Sequence, residues 1–188
     1  MPIHHAVNRL SADTIIVIRP RHGLQVAAIN LARERRLLRR RDMERFVLRL
    51  ATECGASHRN QLLSIGNTLR THAAHMTITG FNLLDRRINH FSSVAAGDAF
   101  LEHTWRPPHT IFRRIGWIYY RCIRPDEGLS RIVACHLTML DAVAGWQIED
   151  AMRAAGQLIS FVDSVFDVTE RGNDPAFLDC NLDLAVAV

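Results

Sequence analysis

The stretch Val7-Asn8-Arg9-Leu10-Ser11-Ala12-Asp13-Thr14-Ile15-Ile16-Val17-Ile18-Arg19-Pro20-Arg21-His22-Gly23-Leu24-Gln25-Val26 changes character several times within a short span. It opens as the end of a helix, becomes a strand, turns, and returns as a second strand. Ile15, Ile16, Val17 and Ile18 are β-branched and suit a pleated, half-buried surface. Pro20 fixes φ and Gly23 permits positive φ, so the chain can reverse between them. Arg19, Arg21 and His22 place three potential cations on the turn with no acid beside them. A hairpin with such a tip has the shape of a wing that touches nucleic-acid backbone. An ordinary solvated hairpin would carry the same local pattern, so the flanking sequence has to decide.

Upstream, residues 6–10 have helical character but are too few to form a stable helix alone. They read as the tail of a longer helix that began before Met1. Downstream, from Ile29, the period changes to 3.6. Leu31, Leu38, Phe46, Val47, Leu50 and Ala51 set an apolar stripe on one long helix. Its Arg33-Glu34-Arg35-Arg36 and Arg39-Arg40-Arg41 runs fit either a nucleic-acid patch or a solvated face. Gly55 closes this helix and Ser57 can cap the next. Further helices are expected over about 57–76, 80–92 and 98–122, the last disturbed by Pro107-Pro108. After the loop Pro125-Asp126-Glu127-Gly128, two more are expected over about 128–144 and 147–167, parted at Gly145. Phe100, Trp105, Phe112, Trp117, Tyr119 and Tyr120 are expected in the core. The fold class is therefore mainly α, about six helices behind a small β-hairpin, with a loosely ordered tail over 169–188.

A length of 188 residues bounds the chain to one domain, or one domain and a fragment of another. With 48% hydrophobic residues it has material for a real core. No apolar run approaches a membrane span, and Met1-Pro2-Ile3-His4-His5 has no signal-peptide core, so a cytoplasmic location is expected. Cys54, Cys122, Cys135 and Cys180 lack CxxC spacing and read as free thiols rather than a zinc knuckle or disulfide framework. Every one of the 23 basic residues is arginine, which fits a GC-rich bacterial coding bias. Residues 1–124 hold 20 Arg against 8 acids, whereas 125–188 hold 3 against 11. The basic part can attract polyanions, or the two halves can neutralise each other in the fold.

The order of features resembles the GntR family of bacterial transcription regulators, in its FadR-type branch. Ala6 to Ile16 resembles the end of that family's recognition helix and its "ALxxLxxxGLI" continuation, with Thr14 where glycine is usual. Val17 to Val26 resembles the wing, "prrGxxV". Arg40-Arg41-Asp42-Met43-Glu44, with Leu48, Leu50 and Ala51, resembles the "RxxLE…LA" opening of the helical ligand-binding (FCD) domain. Asp85-Arg86-Arg87-Ile88-Asn89 resembles "DxxFH", and Gly97-Asp98-Ala99-Phe100-Leu101 its "gNpxL" follower. Cys135-His136-Leu137 through Asp141-Ala142-Val143, then Ala151, resembles "EHxxilxAi…A". The likeness covers residues 6–167.

The resemblance implies a partial winged helix-turn-helix at 1–28 and an FCD-like ligand-binding and dimerisation domain at 29–168. It implies a DNA-binding, metabolite-responsive regulator that works as a homodimer and is not an enzyme. Arg9, Arg19, Arg21, His22 and Gly23 are the candidate DNA contacts, positioning the protein on phosphate rather than reading bases. Because the chain begins inside the recognition helix, weak and salt-sensitive DNA binding is expected. A ligand-binding module without DNA activity of its own is the alternative. The effector would be a small organic acid near Asp85, Asn89 and His136, paired with Arg40. Many members of the family hold a divalent cation with one Asp and three His, a donor set suited to zinc or nickel. Here Asp85 and His136 fall on two of the four positions, Asn89 replaces one His, and Leu158, beside Gln157, replaces the last. An incomplete metal site or a hydrogen-bonded polar cluster are the two readings, with His90 and His109 as residues that could reorganise into it.

Overall fold

The computed structural model describes residues 2–38, 41–54 and 58–172. Helix α1 (Pro2–Ala12) leads into an antiparallel hairpin of β1 (Ile16–Arg19) and β2 (Gly23–Val26), paired Ile16 with Val26 through Arg19 with Gly23. The α1–β1 corner takes its bend at Thr14, whose φ is 58°. This is the position where the resembled family uses glycine. At the hairpin tip the His22 N–H donates to the Arg19 carbonyl at 3.0 Å. Arg21 (φ 64°) and Gly23 (φ 82°) carry the left-handed conformations that the reversal needs. The strands do not form the half-buried surface their composition suggests. Val17, Ile18, Leu24 and Val26 are all exposed, and only Ile15 packs on the main core.

Among the described residues seven helical segments follow: α2 (Leu31–Leu38), α3 (Arg41–Cys54), α4 (Arg59–His72), α5 (Ile78–Ala95), α6 (Ala99–Ile118), α7 (Ser130–Ala144) and α8 (Ile148–Gly172). Arg39 and Arg40, and the proposed stop and cap Gly55 and Ser57, lie outside the described residues. Phe46 also departs from the expected stripe and is exposed, leaving Val47, Leu48 and Ala51 as the buried face of α3.

Helix starts are set by side chains that satisfy otherwise orphaned N–H groups. The Asn30 Oδ1 accepts from Arg33 N at 2.8 Å, Thr77 Oγ1 from Gly80 N at 3.1 Å, and Asp98 Oδ1 from Phe100 N at 2.8 Å. Gly97, with φ 76°, ends α5. Pro107-Pro108 do not break α6, which runs through them and then widens into a π-turn at Tyr119–Ile123. Burial of Ile111 and Ile115 on its inner face offsets the roughly 3 kcal/mol a helical proline costs. Of the expected core aromatics, Tyr119 and Tyr120 are buried, but Phe100 and Trp117 are exposed. Helices α7 and α8 part at Gly145, although the left-handed residue is Trp146 (φ 62°).

The long helix α8 is the spine: α7, α3, α6 and α2 all pack on it. It extends to Gly172, past the expected domain end at 168, and the rest of the tail lies outside the described residues. Leu62, Ile65, Leu69, Ile88, Ile115, Met139 and Phe166, from five helices, are almost wholly buried. Burying each such side chain is worth about 1.5–3 kcal/mol. No helix among the described residues is long and apolar enough to cross a membrane.

Candidate functional site

Inside the ring of helices lies a cavity of about 100 Å³, walled mostly by apolar side chains such as Phe81, Phe112, Met139 and Phe161. One patch of its wall is polar. Helix periodicity puts Asp85 and Asn89 on the same face of α5, and α7 brings His136 across from them. His136 Nε2 lies 3.1 Å from Asp85 Oδ1, and its Nδ1 lies 2.8 Å from the Ile132 carbonyl. Both ring nitrogens therefore face acceptors, an arrangement that suits the doubly protonated ring. Asn89 Nδ2 donates to Asp85 Oδ2 at 3.2 Å. Arg113, from α6, donates to the same oxygen at 2.8 Å and also reaches Thr110 Oγ1 at 3.3 Å.

The charges reinforce one another. Burial pushes the Asp85 carboxyl up, but the hydrogen bond and charge of His136, with His109 and Arg113, outweigh it and hold the group below the ordinary carboxylate range. Burial likewise pushes His136 down, and the Asp85 hydrogen bond and charge overcome it, raising its pKa. His109 is different: burial dominates and lowers it to about 4, so it is neutral at pH 7. Its Nε2 sits 3.6 Å from Glu44 Oε2 on α3.

A larger, open cleft of about 920 Å³ lies outside, between the end of α4, α5 and α6. Asn89, His109 and Arg113 line both spaces and so stand at the neck between them. The cleft is lined by His72, His75, Arg86, Arg87 and His90, and by no carboxylate among the described residues. An anion entering from solvent would meet positive charge first and Arg113 at the neck.

The sequence-derived set is only partly gathered. Asp85, Asn89 and His136 converge, as the resemblance implied. Arg40 lies outside the described residues, and Arg113 is the arginine at the centre. His109 does enter the site, whereas His90 stays in the outer cleft. Leu158 faces the inner cavity, as its register predicts, but Gln157 points to a different cleft on the outside of α8 and offers no replacement donor. Arg9 lies on α1 and Arg19, Arg21, His22 and Gly23 on the hairpin, all exposed, and none of them lines the cavity or the outer cleft. Arg113 carried no motif in the sequence. Its one signal was a charge on the inward-facing stripe of α6, two positions before the buried Ile115.

The residues present do not fit a divalent cation. Among the described residues no three His, Cys, Asp or Glu side chains cluster to hold one. Two of the four ligand positions that the resemblance implies are an amide and a leucine, Asn89 and Leu158. Both Asp85 oxygens are already engaged, Oδ1 by His136 and Oδ2 by Asn89 and the Arg113 guanidinium. A dication about 4 Å from Arg113 would be repelled by about 8 kcal/mol at an effective dielectric constant near 20.

The family model of the FCD domain matches residues 37–161. A solved structure of E. coli McbR/YncC superposes on this fold with a TM-score of 0.70, at 15% sequence identity, covering 92% of this chain and 81% of that one. No curated protein sequence matches the chain.

Proposed function

The chain belongs to the FCD-domain family, and from that premise we propose that it is a metabolite-responsive transcription regulator of the GntR type whose effector is a small organic acid. One observation carries the effector class: Arg113, Asn89 and His109 stand at a neck between a basic outer cleft and an apolar inner cavity. A guanidinium in that position pairs a carboxylate with good geometry, while the apolar wall accepts a short hydrocarbon body. The output would be through the exposed hairpin and α1, with Arg9, Arg19, Arg21 and His22 on phosphate and Gly23 keeping the backbone close. In a homodimer the effector would act by binding one arrangement of the two heads better than another.

The test is a thermal-shift screen with short mono-, di- and tricarboxylates, repeated on Arg113→Met. At a concentration about 100-fold above Kd, a true effector should raise the Tm of this chain by several degrees, and the variant should lose that response. Silence across the panel, in protein shown to be folded and empty, would sink the carboxylate reading. DNA binding is tested separately by fluorescence anisotropy with and without the effector. Effector binding without any DNA binding would favour the alternative, a ligand-binding and dimerisation module.

A further inference from the structure

The centre formed by Asp85, Asn89, Arg113 and His136 keeps the scaffold of a metal site without the means to hold a metal. The His136 Nδ1 contact to the Ile132 carbonyl, at 2.8 Å, is the kind of outer hydrogen bond that aims the opposite ring nitrogen at a cation. That opposite nitrogen, Nε2, meets Asp85 Oδ1 at 3.1 Å instead. The other Asp85 oxygen is taken by Arg113 at 2.8 Å and by Asn89 at 3.2 Å. Arg113 is only 16% exposed in its side chain, and Asp85 12%, so the pair is a fixed part of the interior wall and not a surface contact.

We infer that Arg113 takes the place of the divalent cation in this chain, so that the ligand centre works with a built-in guanidinium and is independent of metal. Three residues account for this, each by a different physical route. Asn89 supplies an N–H donor to Asp85 where a metal needs an imidazole lone pair. Leu158 closes the far side with hydrocarbon and removes a fourth donor. Arg113 neutralises the buried carboxylate permanently and repels any competing dication. A guanidinium also differs from a metal in what it offers an anion: a planar fork of N–H donors, with no exchangeable water and no preference for chelating hydroxy acids. Ligands that depend on two-point chelation should therefore gain nothing here over simple carboxylates of the same charge.

The experiment uses the whole chain and metal alone, so its outcome does not depend on any organic acid binding. The protein is stripped with chelator and titrated with Zn²⁺ and Ni²⁺ by calorimetry and thermal shift. The expected result is no stoichiometric binding and an unchanged Tm. In parallel, Asn89→His, Arg113→Met and Leu158→His are combined to restore four donors and remove the resident cation. That variant should take up one ion per chain, and its Tm should rise by about 5–10 °C at a hundredfold excess over Kd. One Zn²⁺ or Ni²⁺ bound per wild-type chain, lost in Asp85→Asn, would overturn the inference. So would a triple variant that is folded by circular dichroism yet binds no metal. If the triple variant does not fold, Arg113→Met/Asn89→His, with three donors, is measured by the same criteria alongside the wild-type titration.

Discussion

Thr14 adopts a φ of 58°, a conformation in which a β-branched side chain crowds its own backbone. Nothing in its surroundings requires a side chain, because it is exposed at the α1–β1 corner. Thr14→Gly should therefore stabilise the chain by about 1 kcal/mol, read from the shift of the urea midpoint at unchanged slope. A destabilised variant would mean that the hydroxyl has a role the geometry does not reveal. Glu34 poses the opposite case, a charge that the fold resists. It is buried at the foot of α2, and burial raises its carboxyl to about 7 despite the nearby charges of Arg114 and Arg33. The unfolded chain gives up this proton near pH 4.5, whereas the folded chain keeps it to about 7. The stabilisation is thus complete below pH 4.5 and is lost as pH rises through 7, by about 3 kcal/mol in all. Glu34→Gln should become progressively more stable than wild type between pH 5 and pH 8 in chemical denaturation. A stability difference that stays constant across that range would contradict the assignment.

Two adjacent residues of α6 connect distant parts of the molecule. Arg113 points to the Asp85 centre, while Arg114 donates to the Ala27 carbonyl at the exit of the hairpin and lies close to Glu34 in charge. A small rotation of α6 would therefore be felt both at the neck of the cavity and at the root of the hairpin. Arg114→Ala should speed amide exchange over residues 15–27 while leaving exchange in α5 and α7 unchanged. Uniform acceleration would instead report global destabilisation, and no change would show that Arg114 does not hold the hairpin. The sequence announced the helices themselves because their apolar period was regular, as with Leu62, Ile65 and Leu69 on α4. It also announced the Asp85–Asn89 pair, since both lie on one helix face four residues apart. Arg113 was hidden for the converse reason: its partner is 28 positions away, and only the packing of α6 against α5 brings them together. The prolines misled because local cost was visible and compensating burial was not.

At the scale of the whole molecule, the split between a basic front and an acidic back is partly an internal account of charge. Arg35 on α2 bridges to Asp163 at 2.9 Å and Asp167 at 2.7 Å on α8, and Arg70 on α4 pairs with Asp141 on α7. Such half-exposed pairs contribute only about 0.2–1 kcal/mol each, so their effect is to consume charge more than to hold the fold. The sequence could not distinguish these arginines from free ones, because each finds its acid across the helical ring. Arg9, Arg19 and Arg21 differ: all are exposed, Arg19 bonds the neutral Gln25 at 2.7 Å, and none pairs with a carboxylate among the described residues. If these three carry the polyanion contact, log K should fall with log salt at a slope of about −2.7, or about 40-fold between 50 and 200 mM. Arg19→Ala/Arg21→Ala should bring the slope to about −0.9, with the helical domain's Tm unchanged. A steeper wild-type slope that survives the double variant would place the contact on Arg33, Arg36 or the outer cleft instead. Binding that ignores salt would remove the phosphate reading of the hairpin altogether.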